Sequence, residues 1–342
     1  MELGVLERIQ ARLLEKRENL TEWLQAAPAS KKQCQLGSAD EEAVQMHLAV
    51  IDTALDKAAQ HKLGLCQVCH DYVNPTLLEM DYTACVCLDH FSDEERRLLE
   101  AELELSQTVQ KALLPQQIPV IPGLDLAVFS RPAQIVGGDY FDFFQYSDGA
   151  QGLAIADVAG HGLSTGMLMA SVQTVLRTMA PICDSPTEIL QRLNHFFYHN
   201  IHLTTFVTLF LARFDPASGS LTYSNAGHNP PLVVRPQANG SDPIWLSPTG
   251  SAIGLVETFH INAATVILAP GDLLLLYTDG VTEAINQREE QFGRERLADV
   301  IRHQDGLSAR DLIQALRQAL ESHIAGQALA DDITIIAGKM TG

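Results

Sequence analysis

At 342 residues the chain is long enough for two domains, and 46% hydrophobic with 19% charged residues reads as globular rather than disordered. A formal net charge of -19, with acid in both halves, argues against duplex nucleic acid or an anionic membrane as a partner, since phosphate contacts need clustered Lys and Arg. No apolar run approaches the ~20 residues of a membrane span, the amphipathic start MELGVLERIQAR is unlike a secretory signal, and a cytoplasmic location is expected.

The first elements are helical. Leu6, Ile9, Leu13, Leu20 and Leu24 form one apolar stripe, and Val44, Leu48, Ile51, Leu55 and Ala58 form a second. Ser38 and Glu41 make a capping box for the second helix, and the loop before it contains Lys31 and Lys32. Two amphipathic helices with a short connection predict an antiparallel hairpin. Four of the six cysteines follow, between positions 66 and 87. Cys66 and Cys69 form a CxxC knuckle, and Cys87 with His90 forms a CxxH knuckle. Thiolates and one imidazole at these spacings suit a single structural zinc ion, closed and tetrahedral. Cys85 is a rival for Cys87 and His70 for His90, and two-residue spacing favours Cys87 and His90. Ser92 and Glu95 then box a third helix, which Pro115 ends. Its seam of Leu98, Leu105, Val109 and Ala112 predicts either a plain spacer or a dimerising switch helix.

Beyond residue 116 the pattern turns to strands. LDLAVFSRP, the Gly-Gly-Asp segment and GLAIADV supply the first. LSTGMLMASVQTVLRTMA reads as a buried helix, apolar almost all round, and Ser185-Pro186-Thr187-Glu188 opens another that runs through Tyr198. TTFVTLFLARF and LTYSNAG flank the turn DPASGS as a hairpin. PPLVVRP, ATVILAP and DLLLLYTDG continue the strands, helices follow at about 294–303 and, with Ser308 and Asp311 boxing its start, 308–324, and ITIIAGK is last. Hairpin-linked strands around two helix pairs predict an α/β fold, a four-layer α-β-β-α sandwich of antiparallel sheets. The expected division is a hairpin with zinc finger over 1–91, a linker helix over 92–115 and a catalytic domain over 116–342.

Four strand ends carry carboxylates. Asp139 sits in a Gly-Gly-Asp turn, Asp157 ends an apolar strand before a glycine-rich turn, Asp279 follows LLLLYT, and Asp331 and Asp332 precede the last strand. Acidic groups at widely separated strand ends predict a cleft for hard divalent cations, which prefer oxygen ligands. Asp142 is an alternative or support to Asp139, and the register of the last strand decides between Asp331 and Asp332.

Helical hairpin, then CxxC and CxxH knuckles, resembles the DksA/TraR zinc-finger family over roughly residues 3–97. That family reaches into RNA polymerase with acidic residues at the hairpin tip; Lys31 and Lys32 stand here instead, so that role is not carried over. LLPQQIPVIPGLDLAVFSRPAQIVGGDYFDFF, IADVAGHGLSTGMLMA, FVTLFLARFDPASGSLTYSNAGHNPPLVV, LLLYTDGVTEAIN, FGRERL and DDITIIA follow in order from about residue 103 to the C-terminus. Together they resemble the SpoIIE/RsbU-type serine phosphatases of the metal-dependent PPM superfamily.

This resemblance implies two Mn2+ or Mg2+ ions. Asp157 bridges them, Val158 offers its carbonyl, Asp139 holds one ion, and Asp279 and Asp331 hold the other. A water activated by both ions would hydrolyse phosphoserine on a regulatory protein, a STAS-type anti-sigma-factor antagonist by similarity. An upstream activator is a further expected partner, and the homodimer is expected from the seam of the linker helix, not from the resemblance. His161 is the candidate acid for the serine leaving group, with a turn histidine as its plainer reading. Arg131 is a candidate for substrate phosphate. His228 and Asn229 in AGHNPP match a family motif but read chemically as a turn, with no catalytic role. The competing reading is a partner-binding regulator that docks its zinc hairpin on RNA polymerase or another protein and uses the phosphatase fold as a platform.

Overall fold

The computed structural model describes residues 3–26, 41–74, 77–78, 82–133, 135–160, 163–200, 206–235, 242–302, 306–327 and 329–341. Lys31, Lys32, Ser38 and His161, singled out above, lie outside them. The chain forms two compact units, one of residues 1–105 with 199–205, the other of 106–198 with 206–342.

In the first unit, helices α1 (Leu3–Ala26) and α2 (Glu41–Ala59) share one core. Ile9, Leu13 and Leu20 from α1 meet Ile51 and Ala54 from α2, and Leu63, Cys66, Val73 and Leu78 close the end. The i, i+4, i+11 spacing puts the α1 residues on one face, and burying them is what makes an otherwise charged helix worth forming. Arg17 and Asp52 pair across the helices at 2.6 Å on the exposed side, where such a pair adds little. Helix α3 (Asp93–Leu113) opens with the expected reciprocal cap: the Ser92 N–H donates to Glu95 at 2.9 Å and the Glu95 N–H to Ser92 Oγ at 3.2 Å. The division between the units falls inside α3, within the segment read as a linker.

The second unit is built on two antiparallel five-stranded sheets. One runs β1 (Leu124–Arg131), β10 (Ile333–Met340), β9 (Leu273–Tyr277), β6 (Leu232–Val234), β7 (Ile244–Trp245). The other runs β2 (Asp139–Gln145), β3 (Gln151–Val158), β4 (Val207–Asp215), β5 (Ser220–Ala226), β8 (Ala264–Ile267). Alternation decides what each face buries. Phe141, Phe143, Leu153, Ile155 and Phe210 point toward Leu274, Leu276 and Ile336 and form the core between the sheets.

The outer face of the first sheet, with Leu275, Tyr277 and Ile335, packs on α7 (Gly293–Arg302) and α8 (Ala309–Ile324). Ser308 caps α8, its side chain accepting the Asp311 N–H. On the second sheet, α4 (Leu163–Met179) packs against β2 and β3, and α5 (Pro186–Asn200) follows it. The four-layer α/β expectation holds. One detail of it does not: α4 is buried on a single stripe, Thr165, Met169, Val172 and Leu176, while Met167 is 67% exposed. A helix lying on one sheet face buries the side turned to it, however apolar the rest of its surface.

Candidate metal centre

The two sheets bring the strand-end aspartates to one end of the second unit. Asp139 opens β2 and lies directly opposite Asp157 on β3. Asp279 begins a short helix, α6 (Asp279–Thr282), two residues after β9, and Asp331 and Asp332 lie just before β10, which pairs with β9. A direct bond joins the sheets here: Thr278 Oγ1 donates to Asp139 Oδ2 at 2.8 Å, and Thr278 Oγ1 itself accepts the Thr334 N–H at 3.0 Å. Both threonines are fully buried.

Crowding these carboxylates shifts their protonation. Burial, reinforced by Asp279, Asp331, Asp332 and Glu283, pushes the Asp157 carboxyl up to about 7. Burial and then Asp157 hold Asp139 well above the usual carboxylate range, and burial with Glu283 raises Asp279. Like charges forced together in a partly dry cleft favour either protons or cations. The backbone is shaped for a cation. A Cβ on Gly138 would stand 2.8 Å from the Val158 carbonyl oxygen and 3.3 Å from Asp157 Oδ1, so only glycine leaves that space open. Carboxylates beside a carbonyl are an oxygen donor set of the kind Mg2+ and Mn2+ take.

Asp331 and Asp332 have different surroundings. Asp332 is buried and turned to the loop before β2, accepting the Ala133 N–H at 2.7 Å and the Gly138 N–H at 2.6 Å. Asp331 is exposed, accepts the Asp332 N–H at 2.8 Å, and acts on Asp157 through its charge. Asp142 is on the other face of β2 from Asp139. It is fully buried, bound by Arg177 at 2.6 and 2.5 Å and by the Tyr140 hydroxyl at 2.6 Å, and so pins α4 to the sheet away from the aspartate cluster. Arg131 is exposed at the end of β1, opposite Ile333 and so beside the Asp331–Asp332 pair in register.

Three participants escaped the sequence reading. Thr278 holds Asp139, and only its place just before Asp279 hinted at this. Glu283 acts on both Asp157 and Asp279; reading TDGVTE as a helical turn would have put it one turn from Asp279. Gln110 of α3, which is buried, donates to the Gly137 carbonyl at 2.5 Å and accepts the Gly137 N–H at 3.1 Å, fixing the turn that leads to Asp139. Nothing in the periodicity of α3 marked that residue.

The first unit carries a separate cluster. One ligand atom from each of Cys66, Cys69, Cys87 and His90 lies within 4.8 Å of all the others, and it is the only such group of three or more among the described residues. The aspartates are spaced more widely. Cys66 is buried, yet the N–H groups of Cys69, Cys87 and Val68 hold its thiol down at about 6; burial and the neighbouring thiols push Cys87 up to about 12. A site that stabilises one thiolate and resists the next calls for a cation. Cys85 instead gives its carbonyl to the Gln67 N–H at 2.8 Å.

Comparison with known proteins agrees with this architecture. The chain is 29% identical to the protein IcfG of Synechocystis over 264 residues, 69% of this chain and 41% of that one, so it spans less than half of that relative. It is 28% identical to the phosphoserine phosphatase RsbU of Bacillus subtilis over 240 residues, 70% of each chain. The solved SiaA-PP2C domain of Pseudomonas aeruginosa superposes with a TM-score of 0.62 at 22% identity, covering 72% of this chain and 98% of that domain, and shares its fold. Residues 147–341, more than half of the chain, match the family described as Stage II sporulation protein E. The chain belongs to the SpoIIE family.

Proposed function

We propose that the second unit is a metal-dependent protein serine phosphatase that hydrolyses phosphoserine on a regulatory protein. The observation that carries this reading is the crowding of Asp157 by Asp279, Asp331 and Asp332 beside the Val158 carbonyl and the open face of Gly138. Two divalent cations held there would supply a water nucleophile near neutral pH and neutralise charge on the phosphoryl oxygens. Asp139, Asp157, the Val158 carbonyl, Asp279 and Asp331 would hold the ions. Asp332 would act indirectly, by fixing the Gly138 turn through its two backbone bonds. His161 would give the leaving serine its proton and Arg131, exposed at the same strand end, would meet the substrate phosphate.

The substrate class rests on likeness to RsbU, a phosphoserine phosphatase by name; by the family resemblance it is a phosphorylated anti-sigma-factor antagonist of the STAS type. Cys66, Cys69, Cys87 and His90 would hold one structural zinc ion, through which the first unit regulates the second. Leu98, Leu105 and Val109 are 51–64% exposed along one seam of α3, which supports pairing of two chains there and an upstream activator acting on that pairing. No helix among the described residues is long and apolar enough to cross a membrane.

The test is release of phosphate from a phosphoserine peptide, or of nitrophenol from p-nitrophenyl phosphate, with Mn2+ and with chelator. Activity should require the cation and disappear in Asp157→Ala. A variant as active as the parent would overturn the proposal.

A further inference from the structure

We propose that His228 is a positioning residue for the metal centre, a buried imidazole that fixes the strand beside Asp157 against the strand end that carries Asp279. The inference rests on the phosphatase reading above. At the end of β5 the chain leaves one sheet for the other: Ala226 closes β5, and Leu232 opens β6 opposite Leu275 of β9. Between them Gly227 takes φ +69, in a place where a Cβ would approach the Ala252 backbone nitrogen to 3.0 Å. That turn sends His228 inward, where it is 2% exposed.

Both ends of the imidazole's setting are fixed. Its backbone N–H donates to Asn225 Oδ1 at 2.8 Å, while the fully buried Asn225 donates through Nδ2 to the Leu246 carbonyl at 3.1 Å. Ring atom Nδ1 lies 2.8 Å from Thr208 Oγ1. Thr208 is the β4 residue directly opposite Asp157, and paired residues of antiparallel strands point to the same face, so the hydroxyl held by His228 stands beside the central carboxylate. The ring also interacts with the backbone of Tyr277, two residues before Asp279. One side chain therefore bonds the residue opposite Asp157 on one sheet and acts on the backbone of the other sheet's strand two residues before Asp279.

Packing alone does not ask for an imidazole here. Nε2 is buried with no well-formed hydrogen bond, a cost that an aliphatic side chain of similar size avoids. Burial also drives the ring's pKa down to about 3, so it stays uncharged beside the acidic cluster and adds no cation of its own. A neutral brace sets distance without competing for the carboxylates. Groups outside the ligand set that fix how ligands are held tune metal affinity or activity.

The experiment uses the full chain as wild type, His228→Ala, His228→Asn and Thr208→Val. Mn2+ binding is read directly, by the electron paramagnetic resonance of free Mn2+, beside the Mn2+ dependence of p-nitrophenyl phosphate hydrolysis and the melting temperature in chelator. His228→Ala and Thr208→Val should each weaken Mn2+ binding about tenfold, with kcat at saturating Mn2+ within about twofold of wild type. His228→Asn, which keeps a polar atom near the position of Nδ1, should recover most of the loss. Unchanged Mn2+ affinity in folded His228→Ala and in Thr208→Val overturns the inference, as does a lowered melting temperature with affinity intact. Should His228→Ala fail to fold, Thr208→Val decides alone by the same affinity. A wild type that neither binds Mn2+ nor hydrolyses the ester removes the phosphatase reading itself, a result separate from failure of the variants.

Discussion

Replacing Asp157 by asparagine should abolish turnover and, in the absence of metal, make the protein more stable. The amide keeps the shape of the carboxylate and removes the charge that Asp279, Asp331, Asp332 and Glu283 oppose. In the native chain this carboxyl titrates at about 7. Set against an unfolded value of about 3.9, at about 1.4 kcal/mol per pH unit, the penalty has a ceiling of roughly 4 kcal/mol. Asp157 is partly exposed, and solvent screening brings the expected gain to about 2 kcal/mol, or roughly 4–8 °C in Tm for a unit of this size.

Because the folded pKa is raised, the native state holds its proton longer than the unfolded chain does. Stability from this group is intact below about pH 4 and is lost progressively as pH rises toward 7. The advantage of Asp157→Asn should therefore be full at pH 8, shrink as the solution is acidified, and vanish near pH 4. Thermal melts of both proteins in chelator across that range measure it, and added Mn2+ should reverse the order by stabilising the wild type more. If Asp157→Asn melts no higher than wild type in chelator at pH 8, the carboxylates are not crowded and the electrostatic argument for the cation site fails.

Other consequences are as specific. Thr278→Val removes the hydroxyl that holds Asp139 at 2.8 Å and should weaken Mn2+ activation by about 10-fold, measured as the Mn2+ concentration at half-maximal rate. Arg177→Ala leaves the fully buried Asp142 with only the Tyr140 hydroxyl and the Phe143 N–H; urea unfolding should show a loss of about 3 kcal/mol, larger than for Asp142→Asn, because Arg177 is half-exposed and can be rehydrated. Cys69→Ser should leave the purified chain without stoichiometric zinc by elemental analysis and reduce helical circular dichroism from the first unit, while p-nitrophenyl phosphate hydrolysis by the second persists.

How far the sequence reached can be seen element by element. The caps at Ser92–Glu95 and Ser308–Asp311 were legible because a capping box is a local exchange of hydrogen bonds, complete within four residues. All the strands but the two-residue β7, and the two antiparallel sheets, followed from apolar runs separated by turn residues, and the cysteine knuckles from spacing alone. The aspartates were legible as strand-end carboxylates because a strand carries its last residue to the edge of a sheet. Which of them meet, and how, depended on contacts between residues far apart in the chain.

Tertiary structure decided the rest. The pleat turned Asp142 toward Arg177 and Asp139 toward Thr278, although both lie on one seven-residue strand. It buried Asp332 under the Gly138 turn and left its neighbour Asp331 at the surface. Helix α4, apolar on most sides, met a sheet on only one of them. Gln110, Thr278 and His228 acquired their partners only when the chain had closed, across 27, 139 and 20 residues respectively. Periodicity reports which face a residue is on, and local motifs report which hydrogen bonds a turn can make by itself. Neither carries the distance between two sheets, and that distance is what brings four carboxylates within reach of one another's charge.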